Sequence, residues 1–443
     1  MAAASRVAGP CAIFWVVPLL GAAFLLATYG FASRLTSPYV ALAAAWLTAT
    51  SPTFLTSLTT SMSDAPGAAS WALCWWWVLG GTVATAVGAG IALACAVLIR
   101  PNLVTLAATL MCYLAVRVFR ADGSNRRHEL VRASIVAAGL AAGILVTACI
   151  NWILYGSPLL SGYGPMGDQF HGANVGPNAV RYLSWFAGDH TILAVIGIVA
   201  PALLIVRGGA SVRDRAALVA GVVFLIGVWT TYMFYEVFDS PSYLRFLLPT
   251  WPLIMTGTAI TVRGAWARLR GPLGFVATAL AMAVTVWIGI RGIHRAEDTG
   301  LLTRRDDENA YIIVGKWVRL STPDNSVILS MQHSGSLRYY AGRITLRYDT
   351  IDPATLDDKT QWLTDHGIRV FAVLADWEVD VFARRFAGQR RVAALEAPLV
   401  RMPGTTLFDL GQPSTFQTGR AAGRSADVLC APSSMSALVI SQP

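Results

Sequence analysis

Three charged residues stand at the edges of apolar runs, where charge is costly unless it is paired or used. They are Asp64 in TTSMSDAPG, Arg100 in AVLIRPNLV and Arg245 in YEVFDSPSYLRF. A carboxylate ahead of Ala-Pro-Gly is good helix-cap chemistry, and caps are common, so position alone favours a cap for Asp64. The sharper alternative is an acidic residue that coordinates a cation or orients an acceptor. For Arg100, followed by Pro101 and Asn102, the bland alternative is a side chain that snorkels to the interface. The other is an anion site, because a guanidinium presents a fork that matches phosphate. Arg245 repeats the pattern beside Glu236, Asp239 and Tyr243. Two such arginines favour a phosphate-bearing ligand more than either does alone. The long segment from Tyr155 to His190 holds Tyr163 and further aromatics; with Trp152 and Trp185 they read first as an interfacial belt, and they are compatible with stacking on sugar rings. Asp168, His171, Asp189 and His190 are metal-ligand types without diagnostic spacing. No GxGxxG, P-loop, HExxH or GxSxG pattern occurs.

The elements that must position these residues are membrane spans. Of 443 residues, 55% are hydrophobic and 13% charged, about half the charged share of a soluble domain. Apolar runs at 11–32, 38–58, 66–81, 83–99, 101–118, 131–154, 191–207, 214–236, 245–262 and 272–290 predict about ten transmembrane helices. Pro101 separates the fourth span from the fifth, since proline cannot donate the helix hydrogen bond. Arg34, then Arg117 to Arg132, then Arg207 to Arg215, then Arg263 to Arg270 fill alternate loops, which the positive-inside rule makes cytoplasmic. Asp64, Arg100 and Arg245 then face outward. Much of the +9 net charge sits in the inner loops, so nucleic acid is excluded as the expected partner. The same parity puts the N-terminus outside, although Met1 to Pro10 has no basic signal-peptide start, and a chain lacking its first helix would read this way. The six cysteines show no CxxC or Cys/His metal spacing.

Beyond Ile290 the composition turns polar. Residues 1–292 read as the multi-span domain, 293–412 as a small extracytoplasmic α/β domain and 413–443 as a disordered tail. VILSM, IRVFAVLA and RRVAALEAPLV are strand-like. DPATLDDKTQWLTDHG and EVDVFARRFAG are helix-like, with Asp352 and Asp376 as caps and Gly367 and Gly388 as stops.

Taken in order, VVPLLGAAFLLATYGFASRL, ATSPTFLTSLTTSMSDAP, AVLIRPNLV, NWILYGSPLLSGYG and SYLRFLLPTWPLIM resemble the GT-C superfamily of membrane glycosyltransferases. The nearest types are bacterial protein O-mannosyltransferase and aminoarabinose-transferase relatives, over residues 11 to 290. The resemblance implies a multi-pass protein of a bacterial-type plasma membrane that takes sugar from a polyprenyl-phosphate carrier on the outer face. It passes the sugar to a lipid, glycan or protein acceptor by inverting displacement at the anomeric carbon. It implies a catalytic role for Asp64, phosphate binding by Arg100 and Arg245, and substrate contact from Asn102, Tyr163, Glu236, Asp239 and Tyr243. It leaves room for a divalent metal and fixes none. It also implies a preceding helix and a large first outer loop that carries the family's principal acid, which this chain lacks. The alternatives are an inactive truncated remnant and a non-enzymatic protein that binds or transports lipid-linked sugars. A transporter would predict internal repeats, and none is evident.

Overall fold

A computed structural model describes residues 6–9, 12–60, 62–161, 169–207, 214–237, 240–265, 273–402 and 404–411. Tyr163, Asp168, Asp239 and the tail expected to be disordered lie outside them. The chain divides into two compact units with a boundary between Leu301 and Leu302.

The first unit is helical, with α1 at Ile13–Leu35, α2 at Pro38–Ala49, α3 at Pro52–Leu58, α4 at Asp64–Val78 and α5 at Val83–Ile99. A 3₁₀ segment, Pro101–Leu106, leads into α6 at Ala107–Arg120. Then come α7 at Gly123–Tyr155, α8 at Val175–Asp189, α9 at Ile192–Arg207 and α10 at Arg215–Phe234. A second 3₁₀ segment, Pro241–Thr250, precedes α11 at Trp251–Ala265, and α12 spans Leu273–Asp298.

Every expected apolar run falls on helix, but not every run is one rod. Among the described residues, five helical stretches are long and apolar enough to cross a bilayer unaided: Ile13–Leu35, Pro101–Arg120, Gly123–Tyr155, Arg215–Phe234 and Gly274–Asp298. The pair Gly172–Asp189 and Ile192–Val206 also meets the test but bends by 118°. Others are shorter or broken, for local reasons. Ser51 begins a new helix by accepting from the Phe54 N–H, with Pro52 at its first position, so the run 38–58 splits into α2 and α3. The last helix runs past Ile290 to Asp298, so the start of the polar stretch expected to open the soluble domain is helix of the first unit.

Large apolar side chains such as Ile91, Leu145, Ile153, Phe275 and Trp287 are exposed on this unit, far more than water tolerates and as lipid requires. Helix contact instead uses small residues, because lipid tails give apolar side chains no reason to prefer protein. A Cβ on Gly139 of α7 would fall 2.3 Å from the Gly90 carbonyl oxygen of α5. A Cβ on Gly257 of α11 would fall 2.4 Å from that of Gly197 of α9. Among the basic residues, Arg132 is fully buried and donates to Glu129 and to the Val78 carbonyl, both at 2.6 Å. Arg117 also reaches Glu129, at 2.8 Å.

The second unit is the expected α/β domain. Helix α13, Arg304–Ser321, precedes a five-stranded sheet of order β2-β1-β3-β5-β4. β1 (Ser326–Leu329) is parallel to β2 (Ile344–Leu346) and β3 (Arg369–Ala375), while β5 (Thr405–Asp409) is antiparallel to β3 and to β4 (Val400–Met402). β3 is the central, almost wholly buried strand, which explains its unbroken apolar run. Helices α14 (Leu356–Asp365) and α15 (Asp376–Arg385) follow β2 and β3. Gly367 and Gly388 have φ of 73° and 90°, the left-handed conformation expected of helix stops. Asp352 caps only the 3₁₀ turn before α14, and Asp376 lies in the first turn of α15 rather than at its cap.

RRVAALEAPLV departs from the strand expectation: Arg390–Glu396 is a 3₁₀ helix, and β4 begins at Val400. The cause is Asp357, which accepts from the backbone N–H of Arg390 at 2.8 Å and of Arg391 at 3.0 Å. Burial acts to raise the Asp357 pKa, but these two hydrogen bonds outweigh it and hold the carboxyl below its usual value.

His333 is buried, bonded through Nε2 to Thr405 Oγ1 at 3.1 Å, and its Nδ1 has no hydrogen-bond partner. Burial pushes its pKa from the usual 6.5 down to about 4. A depressed histidine pKa means that the unfolded chain takes the proton first. The stability from the neutral ring is thus complete above about pH 6.5 and is lost as pH falls towards about 4. Protection factors at Phe371–Leu374 in the full-length protein, with the intrinsic pH dependence of exchange removed, are expected to fall across that window, and His333→Gln is expected to flatten the dependence. An unchanged slope in the variant would assign the effect to other groups.

Candidate functional site

Asp64 is the first residue of α4, yet it is not a cap. Ser63 stands at the cap position without a side-chain bond, and the Asp64 carboxylate turns to two arginines. Arg100 Nη1 donates to Asp64 Oδ1, and Arg245 Nε lies 3.4 Å from Oδ2. Asp64 is 4% exposed, and the arginine side chains are 13% and 20% exposed, so neither arginine snorkels.

Local sequence produces this convergence. Pro101 disfavours helix in the residue before it, and Arg100 accordingly leaves α5 with φ −138° and ψ 81°. Its stem crosses Gly67 of α4, where a Cβ would approach the Arg100 Cγ and Cδ to 3.1 Å. Arg245 sits in the ten-residue 3₁₀ segment bounded by the Ser240 cap and holding Pro241 and Pro249. Runs of that length are uncommon and often mark functional positions. In a 3₁₀ helix residues i and i+3 eclipse, which brings Tyr243 against Phe246 with ring centres 5.4 Å apart.

Phe246 supports both cations. Its ring centre lies 4.8 Å from the Arg100 guanidinium carbon and 5.0 Å from that of Arg245. Tyr243 lies 5.0 Å from Arg245, and Tyr232 of α10 lies 5.7 Å from Arg100. Asn102 donates to the Tyr232 hydroxyl at 3.0 Å. Aromatic faces hold guanidiniums by cation–π attraction and leave their N–H groups free in the ring plane. Among the described residues Arg100 donates a hydrogen bond to Asp64 alone and Arg245 to the Ser242 carbonyl at 3.0 Å. Several of the ten N–H donors remain for a ligand, which suits a tetrahedral oxyanion.

The structure thus gathers Asp64, Arg100 and Arg245, with Asn102 and Tyr243 at one remove. Glu236 is exposed; its backbone N–H donates to the Gln169 carbonyl at 2.9 Å, and no contact joins its carboxylate to the cluster among the described residues. Phe246 and Tyr232 were missed from sequence. Phe246 had a signal, the Tyr-x-x-Phe spacing around Arg245, whereas Tyr232 is recognisable only once α10 is packed.

The residues considered as metal ligands do other work. Asp189 is 3.4 Å from Arg295 Nε and accepts from Thr53 at 3.5 Å. Ser51 Oγ accepts from Trp251 Nε1 at 3.0 Å and meets His190 Nε2 at 3.5 Å. His171 is exposed. Among the described residues no three His, Cys, Asp or Glu side chains gather as a metal site.

Asp64→Ala should cost about 3 kcal/mol by stranding two guanidiniums, and Arg100→Ala less, because Arg245 stays beside the carboxylate. The double variant should lose clearly less than their sum. Denaturant unfolding in detergent measures the cycle, and simple additivity would refute the pair.

No protein-family model matches the chain, and no curated protein matches it in sequence. Solved structures match it by shape. ArnT from Cupriavidus metallidurans bound to undecaprenyl phosphate matches with TM-score 0.54 and 13% identity, over 94% of this chain and 87% of that one. The same protein in the apo state gives 0.53. The archaeal oligosaccharyltransferase AglB from Archaeoglobus fulgidus, in complex with an inhibitory peptide and a dolichol-phosphate, matches with TM-score 0.51 and 12% identity, over 91% of this chain and 64% of that one. At such identities the likeness is one of fold alone: this chain shares its fold with ArnT and AglB.

Proposed function

We propose that this protein transfers a sugar from a polyprenyl-phosphate carrier to a lipid, glycan or protein acceptor on the outer face of the membrane. The observation that carries the reading is the convergence of Arg100 and Arg245, with unused N–H donors, on one buried carboxylate between broken helices. Two proteins of the same fold bind undecaprenyl phosphate and dolichol-phosphate, which supports a carrier of that chemistry here.

In this reading the acceptor hydroxyl oxygen bonds to the anomeric carbon while the bond from that carbon to the phosphate oxygen breaks. The phosphate leaves with the electron pair. Arg100 and Arg245 donate to its oxygens and stabilise the charge that develops there. Asp64 takes the acceptor proton: Arg100 occupies one lone-pair direction on Oδ1, Arg245 Nε stands 3.4 Å from Oδ2 as an ion pair, and other directions on the carboxylate remain. Tyr243 and Phe246 hold Arg245 in place and so act as positioning residues.

Arg100→Ala and Arg245→Ala should each weaken binding of a polyprenyl-phosphate sugar at least tenfold while membrane insertion stays intact, since each removes a charge-assisted contact of about 1.5–3 kcal/mol. Asp64→Asn should abolish transfer. Wild-type affinity in both arginine variants would remove the phosphate site. A reporter fused after Leu410 tests the orientation separately: it should be active outside the cytoplasm, and activity inside would reverse the sidedness on which the outer-face reaction rests.

A further inference from the structure

We propose that Asp64 sets the charge of the Arg100–Arg245 site so that it accepts a singly charged phosphodiester and expels the doubly charged monoester left after transfer. The inference rests on the carrier reading above and goes beyond it, to the order in which substrate enters and product leaves.

The argument is a charge count in a place where charge is poorly screened. Two guanidiniums and one carboxylate give the site a net charge of +1, and all three side chains are at least four-fifths buried. A sugar joined to a polyprenol through phosphate is a diester and carries one negative charge, so it neutralises the site. The product monoester has a second ionisation near pH 6 and approaches two negative charges above neutrality, which leaves an excess in a low-dielectric setting. Other ionisable groups face the cluster. These are the phenols of Tyr232 and Tyr243, which touch the guanidiniums, and those of Tyr182 and Tyr235 behind them. An unperturbed phenol ionises near pH 10, so these groups add no charge at neutral pH.

The reaction keeps this balance and then breaks it. When the acceptor proton moves to Asp64, the protein side of the site rises from +1 to +2 as the phosphate goes from one negative charge to two. Bond making and proton transfer therefore leave no uncompensated charge. When Asp64 later returns its proton to water, the site falls back to +1, one charge of the dianion is left unneutralised, and the solvation that the dianion regains in water favours its departure. Loss of that proton is the event that favours release, and the same carboxylate then pins the arginines for the next diester.

The test uses the full-length protein in phospholipid-free detergent. The probes are a fifteen-carbon polyprenyl phosphate and its monomethyl ester, which share the lipid and differ by one charge. At pH 8 the wild type should bind the methyl ester roughly tenfold more tightly than the phosphate, the size of desolvating one unneutralised charge in a partly buried site. At pH 5, where the phosphate carries a single charge, the gap should close to within about threefold. Asp64→Asn, with a permanent +2 site, should prefer the phosphate at pH 8, and Asp64→Glu should restore the wild-type order. Equal wild-type affinity for the two probes at pH 8 overturns the proposal without reference to any variant and leaves the carrier reading standing. An unchanged preference in a folded Asp64→Asn protein also overturns it. Failure of both probes to bind sinks the carrier reading itself. Phosphatidylglycerol is a phosphodiester lipid as well, and its displacing the methyl ester at equal concentration would assign the site to bulk lipid and overturn the proposal.

Discussion

The helical unit is organised around one constraint: two arginines cannot be held beside each other in a partly dry site without a counter-charge. Asp64 supplies it. The ion pair joins the start of α4 to the end of α5 and to the 3₁₀ segment before α11, three places where regular α-helix begins, ends or is interrupted. Desolvating the three groups is costly, and their mutual attraction roughly offsets that cost. The cluster is thus a weak source of stability but a strong one of specificity. It tolerates only a ligand whose charge and geometry replace the water taken from the guanidiniums.

Around that cluster, the packing follows the rules of a lipid solvent. Close helix approach relies on glycine facing glycine, as at Gly90 with Gly139 and Gly197 with Gly257. Buried polar groups are tied off in pairs. Arg132 and Arg117 share Glu129, and Asp189 bridges Thr53 and Arg295. In those pairs each carboxylate is shared between protein donors, although Arg132 Nε has no partner among the described residues. Arg100 and Arg245 differ in meeting at a single carboxylate against shared aromatic faces, with several donors uncommitted among the described residues.

What was legible in the sequence, and what was not, follows from the range of each interaction. Apolar runs are local, so every expected span appears as helix. The breaks inside 38–58 and 245–262 depend on how Ser51-Pro52 and Pro241 to Pro249 pack, and a hydropathy count does not register them. Asp64, Arg100 and Arg245 were visible because charge at the edge of an apolar run is conspicuous. Their meeting was not, since it brings together positions 36 residues and more apart, and the cap reading of Asp64 was the better local argument until the fold placed Arg100 beside it. The strand expected at RRVAALEAPLV failed for the same reason: Asp357, over thirty residues earlier, supplies the acceptors that turn Arg390–Glu396 into a 3₁₀ helix.

A fold shared at 13% identity fixes the order and breaks of helices, not the chemistry hung on them. Those breaks nevertheless narrow the choices. Within a hydrocarbon layer, backbone can leave the helix only where side chains or water satisfy its freed groups, so irregular segments collect polar residues whatever the sequence elsewhere. A bundle that keeps its breaks at the ends of α3, α5 and α10 will keep bringing polar side chains to the same region even as nearly every residue is replaced. What evolution is then free to set is the net charge assembled there. In this chain that charge is one carboxylate short of neutralising two guanidiniums, the deficit that the proposed lipid-linked phosphodiester would supply.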